Sequence, residues 1–372
     1  MYQVASDLLV ARIESYSRSW RMALVREPDI LIMADQIISA TSSQQSTTLS
    51  DDIEIGAICS GEWSMTLDRI SDTLLGAEFD IYTYITDPEG GEIYESELIP
   101  TAKMTCVKSL KRGASTEITL ADKLYFSDRL YTPSESITYP TTGRAIEDDI
   151  CAQLGLENGN DYTGKPYIFD VNGRRLFDSQ GKRLRSAPFD FEIAKKDMPK
   201  EVTYRQMLSY IASAHGQFGY VDRFGRYMRK WYGSSVKTLD PNTIDIPTLS
   251  EQLNVVAGIY CKVGELEGEP LAFSFGDITG ATGRVLEFEN PLMTEELLQS
   301  LWHRIKGTSW HTTELYHRLG DPRLDIGDVV TYSDGNQAYD IPITSLDFTF
   351  DGGLAANIQA AGISVEEQIE PV

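Results

Sequence analysis

Cations, cysteine and long apolar runs are scarce in this sequence. Its 372 residues carry 33 Lys+Arg against 56 Asp+Glu, a formal net charge of -23. A chain so short of positive charge is not built to grip DNA through counterion release, although it suits a surface that DNA slides past. The four cysteines, Cys59, Cys106, Cys151 and Cys261, are widely separated and form no CxxC pair. That argues against a disulfide framework or structural zinc and for buried thiols in a reducing cytosol. No apolar run approaches the ~20 residues needed to span a bilayer. The N-terminus, MYQVASDLLVARIESYSRSW, has no basic stretch followed by an apolar block. Neither stable membrane insertion nor a Sec-type signal is expected.

Motifs that carry chemistry are equally scarce. The histidines are His215, His303, His311 and His317, and none has HExxH spacing. No GxSxG elbow, Walker A loop or dinucleotide GxGxxG stands in a strand-turn-helix context. The reading is therefore a non-enzyme with no catalytic, metal-binding or cofactor-binding residue and no cofactor. The abundant carboxylates keep a Glu/Asp hydrolase pair open as an alternative.

Apolar residues make up 41% of the chain, a globular composition. Roughly 100–200 residues per domain gives two or three domains. Residues 1–120 read as strands. Ile53–Ile58 is a short apolar-rich run, and Trp63, Met65 and Leu67 alternate with polar neighbours, the period of a half-buried strand. Phe79–Ile85, Ala102–Leu110 and Thr116–Leu120 follow, with turns at 87–91 and 111–113. Residues 121–240 read as mixed α/β. One helix starts after Thr142 and stops at Gly155, and a second starts at Thr203 with Gln206 as its capping-box partner and stops at Gly216. A hairpin then turns at 222–225. Residues 241–372 return to strands around one helix that runs from Thr294 to Gly307.

Two stretches share a grammar: Gly, strand, acidic turn, Ile-Pro, strand, Gly turn, strand. One begins at Gly76 and carries Ile99-Pro100, and the other begins at Gly327 and carries Ile341-Pro342. Proline cannot donate to a ladder, so each Ile-Pro should open a strand or lie on an edge. The expectation is an α+β, mostly β chain, with two similar small β-barrel domains plus mixed α/β domains. As a trimer, such a chain presents six near-equivalent domains, a pseudo-six-fold ring. A tighter repeat, Phe169–Leu176 followed by Phe177–Leu184, reads as a double turn. Its Arg174, Arg175, Lys182 and Arg183, with Arg185, form the main basic island in an acidic chain. They are candidate interface residues, since opposite charge steers assembly. Leu298 and Trp302 on the 294–307 helix are the other interface candidates.

The segment Thr203–Gly233 resembles tail hub proteins of bacteriophages, the group related to the baseplate hub and to the N-terminal part of tail-associated lysins. Arg205, Leu208, Ile211, Ala212, Gly216, Asp222 and Gly225 fit the family's helix, aspartate and Gly-bearing turn. Glu289-Asn290-Pro291-Leu292, Leu319-Gly320-Asp321-Pro322, Leu324–Asp328, Ile341–Thr344 and Phe350–Leu354 fit in order, so the matches run over roughly residues 50–362. The resemblance implies a homotrimeric hub at the tip of a virion tail. Its partners would be a hexameric distal tail or tail tube protein, a tape-measure protein, and a spike or lysin subunit, with DNA passing through the lumen. The sequence stops at Val372 with no appended peptidoglycan hydrolase, so lytic activity is expected of a separate subunit. A cell-wall hydrolase and a receptor- or carbohydrate-binding tail module are the alternatives.

Overall fold

The computed structural model describes residues 13, 19–26, 30–45, 52–70, 73–86, 98–160, 191–245, 247–266 and 268–362. The N-terminal part supplies β1 (Ser19–Arg26), β2 (Ile30–Ile32), β3 (Ile37–Gln45), β4 (Ile58–Cys59), β5 (Glu62–Asp68), β6 (Glu78–Thr86), β7 (Ile99–Arg112) and β8 (Ser115–Ala121). The middle supplies β9 (Thr141–Thr142), α1 (Gly143–Leu154), β10 (Glu157–Asn158), β11 (Glu192–Ile193), α2 (Tyr204–Ala214), β12 (Phe218–Val221), β13 (Arg226–Lys230) and β14 (Ser235–Thr238). The last part supplies β15 (Thr248–Leu266), β16 (Glu269–Gly276), β17 (Arg284–Glu289), α3 (Glu295–Ile305), β18 (Ser309–His317), β19 (Val329–Ser333), β20 (Ala338–Pro342), β21 (Ser345–Phe350) and β22 (Leu354–Ala360).

Local chemistry explains where these elements begin and end. In β5, Trp63, Met65 and Leu67 are buried while Glu62 and Ser64 are exposed, the alternation of a strand with one face on a core. Thr203 caps α2: its hydroxyl accepts from the Gln206 amide at 3.1 Å, and the Gln206 side chain accepts from the Thr203 amide at 2.9 Å. Two orphan helix-end donors are thereby satisfied. Thr142 and Thr294 cap α1 and α3 through the hydroxyl alone, which accepts from the Ala145 and Leu297 amides at 3.2 and 3.3 Å. The β12–β13 turn is held by Asp222, whose carboxylate accepts from the amides of Phe224 and Arg226 at 3.0 and 2.9 Å.

The mostly-β expectation is met, but the two barrels are not. Among the described residues no sheet closes on itself. Strands from both ends of the chain instead join one 13-stranded sheet, in the order β16-β15-β18-β22-β21-β3-β5-β8-β7-β6-β1-β2, with β17 also on β15. The join is antiparallel pairing of β3 with β21, Thr41 opposite Thr349 and Ala40 opposite Phe350. Each half thus covers what would be an edge of the other, which closure would also have removed. One apolar core runs under both halves, with Trp63 of β5 stacked on Phe348 of β21 at 6.5 Å.

The two repeats also diverge in topology. Pro100 lies near the start of β7, and β6-β7-β8 is a meander within the large sheet. Pro342 ends β20, an edge strand of the separate sheet β14-β19-β20, and the chain then crosses into the large sheet as β21. Both prolines occupy positions where a missing donor is tolerated. A second core, built from α1, α2, Ile58 and Tyr227, fills the middle of the chain.

Candidate functional site

The most unusual chemistry lies where the β12–β13 hairpin and β14 meet the loop 319–328. Most of the charges there are buried, and Lys230 and Lys237 are partly so. The Arg223 guanidinium donates to the carbonyls of Pro322 (2.9 Å), Arg323 (2.8 Å) and Leu324 (3.3 Å) and stands 4.0 Å from the Asp325 carboxylate. Asp321, fully buried, accepts from Arg323 Nε and Nη2 at 2.9 and 2.7 Å and from Lys237 Nζ at 2.6 Å. Burial pushes its carboxyl up, but Arg323 and Lys237 outweigh burial and hold it far below the ordinary carboxylate range. Lys230 Nζ donates to Asp328 at 2.5 Å and to the Ile326 carbonyl at 3.2 Å. Trp20 Nε1, from β1, reaches the Leu319 carbonyl at 3.1 Å, so the N-terminal strands also hold this loop.

The loop's glycines allow that approach. Gly327 has φ +73°, and a Cβ there would sit 2.4 Å from the Phe218 ring. Gly320 has φ +50°, and a Cβ would meet Leu354 at 2.9 Å. Both positions need a residue without a side chain.

A second buried pair continues the seam into the middle core. Arg229 Nε lies 2.6 Å from Glu147 Oε1, both side chains almost wholly enclosed. Burial pushes the Glu147 carboxyl up, while Arg229 and Asn158 pull it down. Two more joints complete the frame. Arg205 on α2 donates to Asp128 at 2.7 Å, to the Leu124 carbonyl at 3.0 Å and to the Ile58 carbonyl. Asn290 donates to the Tyr210 carbonyl at 2.8 Å and to Ser213 Oγ at 3.0 Å, fastening α2 to the turn before α3.

The motif residues quoted from the sequence (Arg205, Asp222, Asn290, Gly320, Asp321, Gly327 and Asp328) thus sit at joints between elements. All four cysteines are buried thiols, and burial pushes each upward, Cys261 to about 12, which makes the thiolate nucleophile unfavourable. Among the described residues no group of three or more His, Cys, Asp or Glu is placed to hold a metal ion.

The interface candidates Arg174, Arg175, Lys182, Arg183 and Arg185 lie outside the described residues. Leu298 is fully buried in this chain's own core, and Trp302 is half-buried against the same core. Sequence reasoning missed the Glu147–Arg229 and Asp321–Lys237 pairs. A signal for the first was present: Glu147 shares a helix face with Ile150, Cys151 and Leu154, an apolar stripe where a carboxylate requires a partner.

No family model matches the chain, and no curated protein matches it in sequence. Solved structures do match. The tail protein from Neisseria meningitidis MC58 superposes with a TM-score of 0.54 at 11% identity, covering 92% of this chain and 96% of its own. The prophage MuSo2 43 kDa tail protein from Shewanella oneidensis gives a TM-score of 0.49 at 13% identity, covering 91% and 97%. Prophage tail protein gp18 from Listeria monocytogenes EGD-e gives 0.45 at 9% identity, covering 93% and 96%. The first of these carries the comparison: the chain shares, along nearly its whole length, the fold of a tail protein. Fold likeness at this identity speaks to architecture and not to any particular site.

Proposed function

We propose that this chain is a structural hub at the distal end of a phage tail or phage-tail-like particle. Three copies would form a ring that adapts a six-fold tube or distal tail protein to a three-fold tip, contacts the tape-measure protein, and lets DNA pass. One observation carries this reading: the fold agrees with a tail protein over 92% of the chain. The buried seam supports it, because parts transmitting force between tube and tip must keep a fixed relation, and buried ion pairs admit few alternative geometries. The net charge of -23 supports a lumen from which phosphates are repelled.

The test is negative-stain electron microscopy of the purified chain with its tube or distal tail partner. Rings capping the tube are expected. A chain that never associates with the tube would refute the reading. A peptidoglycan zymogram is expected to stay blank, and clearing that is lost on one Glu or Asp substitution would replace the hub with a hydrolase.

A further inference from the structure

The end of the β7–β8 hairpin differs from the rest of the large sheet. β6 covers β7 only as far as Thr105, and the last bonds across that side run between Cys106 and the backbones of Gly76 and Ala77 at 2.8 Å. A register slip follows between Cys106 and Lys108. From Val107 to Arg112, β7 pairs with β8 alone and shows no other strand partner among the described residues. Lys108, Leu110, Lys111 and Arg112 are exposed there, Leu110 at 41%. This end, residues 64–69 and 107–119, holds four cations (Arg69, Lys108, Lys111, Arg112) and two carboxylates (Asp68, Glu117), a net of +2 in a chain of -23. Asp68 lies by Arg69 at 3.3 Å and Glu117 by Arg112 at 3.0 Å.

The far end of the same sheet is its electrostatic opposite. Over Gly258–Lys262, β15 runs between β16 and β17. Ile259 and Cys261, with Phe273, Phe275, Leu286 and Phe288 beside them, turn to the core and α3. The other face carries Tyr260, Lys262, Ser274, Glu287 and Glu289, and Lys262 is joined to Glu265 at 2.8 Å. Across these three strands, as described, Glu251, Glu265, Glu269, Glu287 and Glu289 oppose Lys262 and Arg284, a net of -3. Arg284 is itself turned to Asp52 at 2.7 Å. The outer edge of β16 has no strand partner among the described residues, and Leu271 on that strand is 47% exposed.

We propose that the cationic end of the β7–β8 hairpin docks on the acidic β16-β15-β17 sheet of a second copy of this chain. The inference rests on the ring reading above and names its contact. Donor and acceptor lie on different surfaces of one molecule, so the contact is head-to-tail, the kind that closes into a ring when its rotation permits. Opposed charges set orientation and encounter rate, while Leu110 and Leu271 supply apolar area. Lysine on an open edge also discourages indiscriminate strand pairing. Charge reversal separates the two roles, because glutamate protects an edge as well as lysine does but repels an acidic partner.

The experiment is sedimentation of the full chain as wild type, as Lys108→Glu with Lys111→Glu, as Glu287→Lys with Glu289→Lys, and as all four together, each checked for folding by circular dichroism and melting. Each pair alone is expected to weaken self-association by about tenfold or more, and the four-fold variant to recover most of it. Added salt should weaken the wild-type contact, since the screening length falls from about 10 Å at 0.1 M to about 3 Å at 1 M. Folded pair variants that associate like wild type, or a folded four-fold variant that recovers nothing, would overturn the docking and leave the ring reading standing. A wild-type chain that stays monomeric at low salt, alone and with the tube protein present, would overturn both.

Discussion

Two junctions hold this molecule together, and they use opposite chemistry. Where β3 meets β21, the contact is ladder pairing over a shared apolar core, with Leu346 opposite Gln44 and Phe350 opposite Ala40. Where the β12–β14 segment meets the 319–328 loop, the contact is a row of buried ions. Apolar burial is non-directional and tolerates exchange of similar volumes. A buried ion pair adds little net stability over apolar packing of the same volume, yet losing one member strands the other in a dry interior. The sheet junction therefore supplies most of the cohesion. The seam supplies an arrangement with few substitutes.

Several substitutions sharpen that contrast. The largest effect is expected at the Glu147–Arg229 pair: Glu147→Ala should cost about 3–5 kcal/mol in chemical denaturation by leaving Arg229 buried without its carboxylate. Replacing both together, Glu147→Leu with Arg229→Met, should cost much less. Equal losses for the single and double variants would break the account of the seam.

Asp321→Asn should cost about 3 kcal/mol at neutral pH, with a signature of its own. The folded-state carboxyl titrates well below its unfolded value of about 3.9. Its contribution is therefore fully present above that value and is lost as pH falls toward the folded one. Melting curves of wild type and Asp321→Asn should converge below about pH 4. A gap that stays constant with pH would contradict the ionic role.

Smaller effects lie outside the seam. Thr203→Ala, which removes the α2 cap, should cost about 1 kcal/mol. Arg144 pairs with Asp148 on the exposed side of α1, one turn of helix from the buried Glu147 pair. Arg144→Ala should cost only about 0.3–0.5 kcal/mol. One helix thus carries both extremes of the ion-pair scale.

The same contrast decides what could be read in the sequence. The strands of β5, β7 and β8, the α2 capping box, the β12–β13 turn and the helix ending near Gly307 all follow from signals spanning four to fifteen residues. These are periodicity, caps and turn residues, and the structure has them where the pattern put them. Closure could not be read this way. β3 pairs with β5 on one side, and whether its other side closes within the same half or meets β21, some 300 residues away, leaves the alternation in either strand unchanged. Seam partners were hidden for the same reason: Arg223 and Asp325, or Lys237 and Asp321, are ordinary charges until the fold buries them together. Gly327 was visible within a motif, but its reason, the Phe218 ring against its Cα, exists only in three dimensions.

The proposed ring of three chains is best checked by its mass. Sedimentation equilibrium at low salt should return a particle of three times 41.6 kDa. A single species of 41.6 kDa across the accessible concentration range, alone and with the tube protein present, would contradict it.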